Sequence, residues 1–259
     1  RDQNSIDDVM RGVNYVFHAA ALKQVPSCEF YPMQAVKTNI IGTENVLNSA
    51  IYAGVKKVIA LSTDKAAAPI NLYGATKLTS DKLFTNANYF RGKKRCKMSV
   101  VRYGNVMGSR GSVIPLFIEQ RNNNKIFTIT DSKMTRFNIS LDESVKFVEN
   151  CIKKMKGGEI FVPKIPSYRI MDVLKAIKNN PKFKVIGIRP GEKLHEELIT
   201  KSDSVNTREF SSYFIIYPSY KKSINNTSKS FSYNSYDNKK FLSVKQIKEL
   251  INKNSKDFI

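Results

Sequence analysis

The chain has 259 residues, 41% of them hydrophobic, enough for one substantial core or two small ones, which excludes a disordered polyelectrolyte. Lysine and arginine number 43 against 22 acids, and the formal charge of +21 suits nucleic acid, an anionic membrane or a phosphorylated ligand without choosing among them. Cys28, Cys96 and Cys151 are far apart and lack metal-ligand spacing, so a disulfide framework and a metal site are set aside and a reducing, cytoplasmic setting is expected. There is no apolar run of roughly 18 residues and no basic-then-apolar leader, so no membrane partner and no signal-peptide export are expected.

In chain order, hydrophobic periodicity predicts a strand at 14–19, a helix at 33–53 closed by Gly54, a strand at 57–61 and a helix at 73–89. A strand at 97–102, a helix at 141–155 behind a Ser140 cap and a short strand at 159–162 follow. This alternation predicts an α/β fold with a doubly wound, mostly parallel sheet. Past Pro163 the elements shorten, with helices expected at 171–178 and 192–198 among Pro166, Pro181 and Pro190, as in a smaller appended lobe. The Ser-, Asn- and Lys-rich stretch 219–240 reads as a solvated loop or edge hairpin, and 243–252 as a last helix. The expected division is a nucleotide-binding part over 1–118, to which the chain returns around 140–163, and a lobe and tail over 119–259.

Ligands of such sheets sit beyond the carboxyl ends of the strands, which singles out the loops 18–26, 62–73 and 103–113. Tyr73 and Lys77 form Tyr-x-x-x-Lys at the start of a helix, so both side chains share a face. A nearby ammonium favours the phenolate, and the pair can then serve as a general base toward an alcohol. The spacing alone is common. The preceding strand end Leu61-Ser62-Thr63, with a hydroxyl placed for the same substrate oxygen, makes the combination much rarer.

Strand, Ser/Thr, short loop and Tyr-x-x-x-Lys together resemble the short-chain dehydrogenase/reductase superfamily, in its extended branch acting on nucleotide sugars. The stretches HAAALKQVPSCE, TNIIGTENV, LSTDKAAAPINLYGATK, VRYGNVMGSRGSVIP, TDSKMTRFNISLDE, GGEIFVPKIPS and IGIRPGEKLHEE look like those of the inverting UDP-N-acetylglucosamine 4,6-dehydratases that open pseudaminic acid synthesis for flagellin glycosylation. The resemblance runs from Arg1 to about Leu198. Relatives acting in capsule and glycan pathways often carry Met where Tyr73 stands, so the inverting branch is favoured.

The resemblance implies an NADP-dependent enzyme. Tyr73, helped by Lys77 and Thr63, takes the proton of the carbon 4 hydroxyl during oxidation. Lys65 removes the carbon 5 proton, Asp64 protonates the departing carbon 6 hydroxyl, and reprotonation from the other face inverts carbon 5. Asp64-Lys65, directly after the strand, is what a dehydratase needs and a plain epimerase does not. The same carry-over puts Asp2, Ala19, Ala20, Ala21, Lys23, Asn39, Ser62, Tyr73, Lys77 and Val106 beside the cofactor. It gives the UDP-sugar to Lys23, Asn105, Arg110, Ser112, Val113, Met134, Thr135, Arg189 and Glu192. Arginine suits a diphosphate because its planar fork binds oxygens in pairs. Homo-oligomers are expected by the same resemblance.

Gly104, Gly108 and Gly111 do not make a dinucleotide fingerprint, since the first gap is wrong, and a glycine-rich phosphate loop after a first strand is absent from the chain. Arg1-Asp2 resembles the end of a Gly-Asp-x-Arg-Asp segment, so an N-terminally truncated sequence that binds NADP poorly and is inactive by itself is expected. His18 and His195, the latter on an expected helix, are read as structural. Rival readings are a UDP-sugar 4-epimerase or retaining dehydratase, a catalytically dead interaction module, and a basic nucleic-acid-binding protein. The scattered lysines speak against the last, and no nucleic-acid partner is expected.

Overall fold

The computed structural model of the chain describes residues 1–90, 92, 95–219 and 230–254. In order, the elements are α1 (Gln3–Met10), β1 (Tyr15–His18), α2 (Val25–Phe30), α3 (Pro32–Val36), α4 (Gly42–Tyr52), β2 (Lys57–Thr63), α5 (Leu72–Phe90), β3 (Lys97–Tyr103), α6 (Val113–Asn122), β4 (Phe127–Ile129) and β5 (Thr135–Phe137). Then come α7 (Leu141–Lys154), β6 (Ile160–Pro163), β7 (Ser167–Arg169), α8 (Ile170–Ile177), β8 (Phe183–Val185), β9 (Glu197–Ile199), α9 (Lys201–Ser204), β10 (Thr207–Glu209), β11 (Tyr213–Ile216), β12 (Tyr233–Asn234) and α10 (Val244–Lys253). They fall into two compact units, the first made of Arg1–Tyr103, Lys146–Lys164 and Leu198–Ser232, the second of Gly104–Val145, Ile165–Glu197 and Tyr233–Ile259.

The first unit is built on a six-stranded sheet in the order β1-β2-β3-β6-β11-β10. β1, β2, β3 and β6 run parallel, and β11 and β10 are added antiparallel. Buried on both faces, β2 and β3 are near-continuous apolar runs, as parallel strands must be. Alternation sends Leu61, Val101, Phe161 and Ile215, neighbours across four strands, into a core with Val148, Cys151 and Ile152 of α7. Ser62 and Arg102, cross-strand neighbours one position on, point the other way and meet Asp81 of α5. Glu159, 3% exposed, closes the turn before β6: its Oε2 accepts from Ser99 Oγ at 2.8 Å and from the backbone N–H of Gly157 at 2.7 Å.

The second unit has its own core, in which α6, α8 and α10 bury Phe117, Val173, Leu174 and Ile247 together with Phe127 of β4. Two small sheets, β4 with β8 and β5 with β7, complete it. α7 begins behind Ser140, where Ser140 Oγ accepts from the Glu143 N–H and the Glu143 carboxylate accepts from the Ser140 N–H.

Two expected helices differ. The 33–53 segment is α3 and α4 joined by a π turn, Lys37–Ile41, whose Asn39 points inward. Apolar spacing cannot see one wide turn inside a helical run. The 192–198 segment is not helical, so His195 does not sit on a helix: the carbonyl of Leu194 instead accepts from the Thr135 N–H of β5 at 3.3 Å, drawing the chain out into extended backbone. The loop expected at 219–240 lies outside the described residues over 220–229, and beyond them Tyr233–Asn234 forms β12 and Ser235 is fully buried.

Replacing Glu159 by Ala strands buried donors, so Glu159→Ala is expected to lose about 2 kcal/mol or more in urea denaturation, with the fold retained.

Candidate functional site

In the first unit, five of the predicted side chains converge. β2 ends at Thr63, and the chain turns at once into a 3₁₀ turn, Asp64–Ala66, before entering α5. Thr63 Oγ1 donates to Asp64 Oδ1 at 2.9 Å, and Lys65 Nζ donates to the same oxygen at 3.1 Å. Asp64 is 1% exposed, whereas a quarter of the Lys65 side chain reaches solvent. Tyr73 stands in the first turn of α5, 8% exposed and close to the Thr63 side chain. Lys77, 4% exposed, donates from Nζ to the Leu61 carbonyl at 2.8 Å. The two elements can lie so close because residue 74 is glycine: a Cβ there would overlap the Lys65 carbonyl oxygen.

Burial decides the charge of these groups. Tyr73 is pushed up to about 12, because desolvation outweighs the nearby Lys65 cation, which acts in the opposite sense. At neutral pH the phenol is therefore a proton donor, contrary to the expectation that an ammonium beside it leaves a phenolate. Lys77 is pulled down from the usual lysine range by burial, with Asp81 holding against the shift. His18 falls to about 4, again through burial first and Lys77 second. Its Nε2 lies 3.3 Å from Thr43 Oγ1, a structural placement.

The residues given to a cofactor divide. Ala19 and Ala20 are exposed just past the carboxyl end of β1, with Ala21 half-buried and Lys23 exposed, so small side chains stand open where a backbone must be approached closely. Asn39 is occupied within the fold. Its side chain accepts from the Leu22 N–H at 2.8 Å and donates to the Leu22 carbonyl at 2.9 Å and to Thr76 Oγ1 at 3.0 Å, clamping the loop after β1 to α5. Ser62 Oγ donates to Asp81 Oδ2 at 2.8 Å and faces away from Thr63. Asp2 caps α1, accepting from the Ser5 N–H and hydroxyl at 2.7 Å each.

In the second unit, the Val106 backbone bridges to Ile139, and Asn105 Oδ1 and Ser112 Oγ are buried with no hydrogen-bond partner among the described residues. Ser112 precedes α6 without capping it through its side chain, Val113 opens the helix, and Arg110 is exposed. Arg189 is exposed as well. Three other candidates are already engaged. Met134 Sδ accepts from Thr130 Oγ1 at 3.0 Å. Thr135 Oγ1 lies 2.8 Å from His195 Nδ1 and 2.7 Å from Ser235 Oγ. The Glu192 carboxylate takes Arg136 Nη2 and the Arg189 N–H, both at 3.3 Å. Among the described residues no group of three or more His, Cys, Asp or Glu side chains is placed to hold a metal, and no helix is long and apolar enough to cross a membrane.

Residues 1–218 match the profile of the family described as Polysaccharide biosynthesis protein. The chain is 49% identical over 97% of its length to a protein of Campylobacter jejuni named UDP-N-acetylglucosamine 4,6-dehydratase (inverting), covering 80% of it. This chain belongs to the polysaccharide biosynthesis protein family. Another relative, named UDP-glucose 4-epimerase, from Rickettsia rickettsii, is 49% identical over 83% of the chain, which covers 64% of that protein. The X-ray structure of Pen from Bacillus thuringiensis superposes with a TM-score of 0.90 at 39% identity, covering 98% of this chain and 79% of that one. A dTDP-glucose 4,6-dehydratase from Streptomyces venezuelae, solved with NAD and TYD bound, shares the fold with a TM-score of 0.67 at 21% identity, over 74% of this chain and 66% of that one.

For this family member, sequence reasoning passed over Asp81, Arg102 and Arg136. All three are buried ionisable side chains, and their one visible signal is a charge set inside an otherwise apolar strand or helix face. Gly74 was passed over too, hidden inside Tyr-x-x-x-Lys. Gly74→Ala is expected to push the Lys65 backbone away from α5, cutting turnover at least about tenfold while far-ultraviolet circular dichroism stays unchanged.

Proposed function

We propose that the chain carries the reaction centre of an NADP-dependent, inverting UDP-N-acetylglucosamine 4,6-dehydratase, a hydro-lyase yielding a UDP-4-keto-6-deoxy sugar. The observation that carries the reading is the 3.1 Å contact between Lys65 Nζ and Asp64 Oδ1 directly after β2, with Thr63 donating to the same carboxylate oxygen and Tyr73 close by. Named relatives of the same family support the substrate. The choice of NADP over NAD, a cytoplasmic setting, homo-oligomers and a product destined for pseudaminic acid and flagellin glycosylation belong to the same proposal.

A neutral acid and a neutral amine are what elimination of water needs, and the ion pair supplies both in one move. A proton passing from Lys65 Nζ to Asp64 Oδ1 leaves an amine able to take the carbon 5 proton and a carboxylic acid able to protonate the carbon 6 hydroxyl. Burial of Asp64 favours that neutral form, since desolvation penalises two charges more than none. Tyr73 handles the proton of the carbon 4 hydroxyl. Because its phenol is protonated in the chain alone, its service as a base depends on added positive charge in the occupied site. Lys77, fixed on the Leu61 carbonyl, stands one turn behind it.

The open Ala19-Ala20 segment, Lys23 and Lys77 fit the nicotinamide side of a dinucleotide, whose chemistry is to accept a hydride from carbon 4 and return it at carbon 6. In the second unit, Arg110 and Arg189 are the proposed cations for the diphosphate. Asn105 Oδ1 and Ser112 Oγ, buried and unpaired among the described residues, are the proposed polar contacts of the sugar nucleotide. Met134, Thr135 and Glu192 serve by holding neighbouring groups.

A 4-epimerase is the second reading, favoured by the epimerase name of the Rickettsia relative. Mass spectrometry separates the two, since the dehydratase product is lighter than UDP-N-acetylglucosamine by one water and an epimer is not. Tyr73→Phe is expected to block the first oxidation. Lys65→Ala is expected to allow it and stop before water loss, lowering product formation on the order of a hundredfold or more while nucleotide binding persists.

A further inference from the structure

Behind the reaction centre lies a line of buried charge that the proposed chemistry does not use. Arg102, 2% exposed, donates from Nη2 to Asp81 Oδ2 at 3.2 Å, from Nη1 to Asp203 Oδ2 at 3.0 Å and from Nη1 to the Leu198 carbonyl at 3.2 Å. Asp81 is 1% exposed. Removing such charges from water costs several kcal/mol each, and a pair of this kind is often no more stabilising than apolar side chains of the same size. Stability alone is therefore a poor account of it, and its position suggests another.

Asp81 Oδ2 also accepts from Ser62 Oγ at 2.8 Å, so one carboxylate oxygen holds both β3, through Arg102, and the last turn of β2 before Thr63. Asp81 lies one helical turn beyond Lys77 on α5, on the same side of the helix. Lys77 in turn holds the carbonyl of Leu61, the residue before Ser62. A closed frame results: Lys77 to Leu61, Ser62 to Asp81, and Asp81 back along α5 to Lys77. We propose that Asp81, clamped from behind by Arg102, is a positioning residue of the reaction centre, fixing the end of β2 against α5 and giving the Lys77 ammonium its anionic neighbour.

The ionisable groups gathered around Tyr73 and Lys77 are His18 from β1, Asp64 and Lys65 from the turn after β2, Asp81 on α5 and Arg102 from β3. His18 is neutral at pH 7, and Asp81, which also holds Arg102, is the charge that opposes the burial of Lys77. Without it, Lys77 gives up its proton at a lower pH. Activity that needs the ammonium is lost as pH rises through that point, so the alkaline limb of kcat moves toward acid.

The inference rests on the reading that Tyr73 and Lys77 carry the first proton transfer. Its test compares Asp81→Asn with Asp203→Asn, which removes the other carboxylate on Arg102 and leaves Asp81 in place. Lys77 is followed by ¹⁵Nζ-lysine NMR titration, assigned with Lys77→Arg, and turnover by product mass. Asp81→Asn is expected to move the Lys77 midpoint down by about one pH unit. It is also expected to lower kcat at least about tenfold with KM within about twofold. Asp203→Asn is expected to lower Tm and change neither quantity. Should Asp81→Asn not melt cooperatively, Asp81→Glu replaces it, keeping the charge but not the reach, and is expected to lower kcat with the midpoint unmoved. Loss of kcat in step with Tm in every variant, with the Lys77 midpoint unmoved in Asp81→Asn, overturns the proposal. If the unaltered chain turns over a UDP-sugar without losing water, the dehydratase reading fails, while the nitrogen titration still decides the role of Asp81.

Discussion

The proposed reaction centre depends on one close approach, between the first turn of α5 and the 3₁₀ turn after β2. Gly74 allows it, since any side chain there meets the Lys65 carbonyl. With those two backbones in contact, a phenol from one stands close to an acid-amine pair from the other, whose acid also accepts from the Thr63 hydroxyl. The approach also explains the charges. The same packing that brings Tyr73 to Thr63 shuts out water and holds the phenol protonated until more positive charge arrives.

Much of the first unit could be read from the letters. β2, β3 and β6 are short, mainly apolar runs because parallel strands are covered on both faces, and α5 and α7 follow with helical spacing. The nearness of the residues proposed for the reaction centre was legible for a different reason: Ser62-Thr63-Asp64-Lys65 and Tyr73 to Lys77 are local, and a short turn followed by a helix forces them together. What failed was long-range. Nothing within the 192–198 segment shows that its carbonyls go to β5, and nothing around Asn39 shows that its amide is taken by Leu22 and Thr76. Likewise Ser62 and Thr63 are equivalent as letters, and only strand alternation sends one hydroxyl to Asp81 and the other to Asp64.

The two units handle buried charge alike. In the first, Arg102 is held between Asp81 and Asp203. In the second, Arg136 pairs with Glu192 at 3.3 Å and approaches Glu196 at 3.8 Å. Each arginine stiffens backbone next to a candidate ligand contact, the end of β2 in one case and the turn bearing Arg189 in the other. These carboxylates then serve as supports, whereas Asn105 and Ser112, the proposed ligand contacts, keep buried polar atoms to spare.

In the proposed chemistry Lys65 and Asp64 exchange a proton to become a base and an acid acting on adjacent carbons of one sugar. The most direct measurement is proton NMR of the sugar nucleotide formed from UDP-N-acetylglucosamine in D₂O. Deuterium at carbon 5 in the inverted configuration and a methyl group at carbon 6 are expected. A product that keeps protium at carbon 5 and its carbon 6 hydroxyl, altered only at carbon 4, would contradict it.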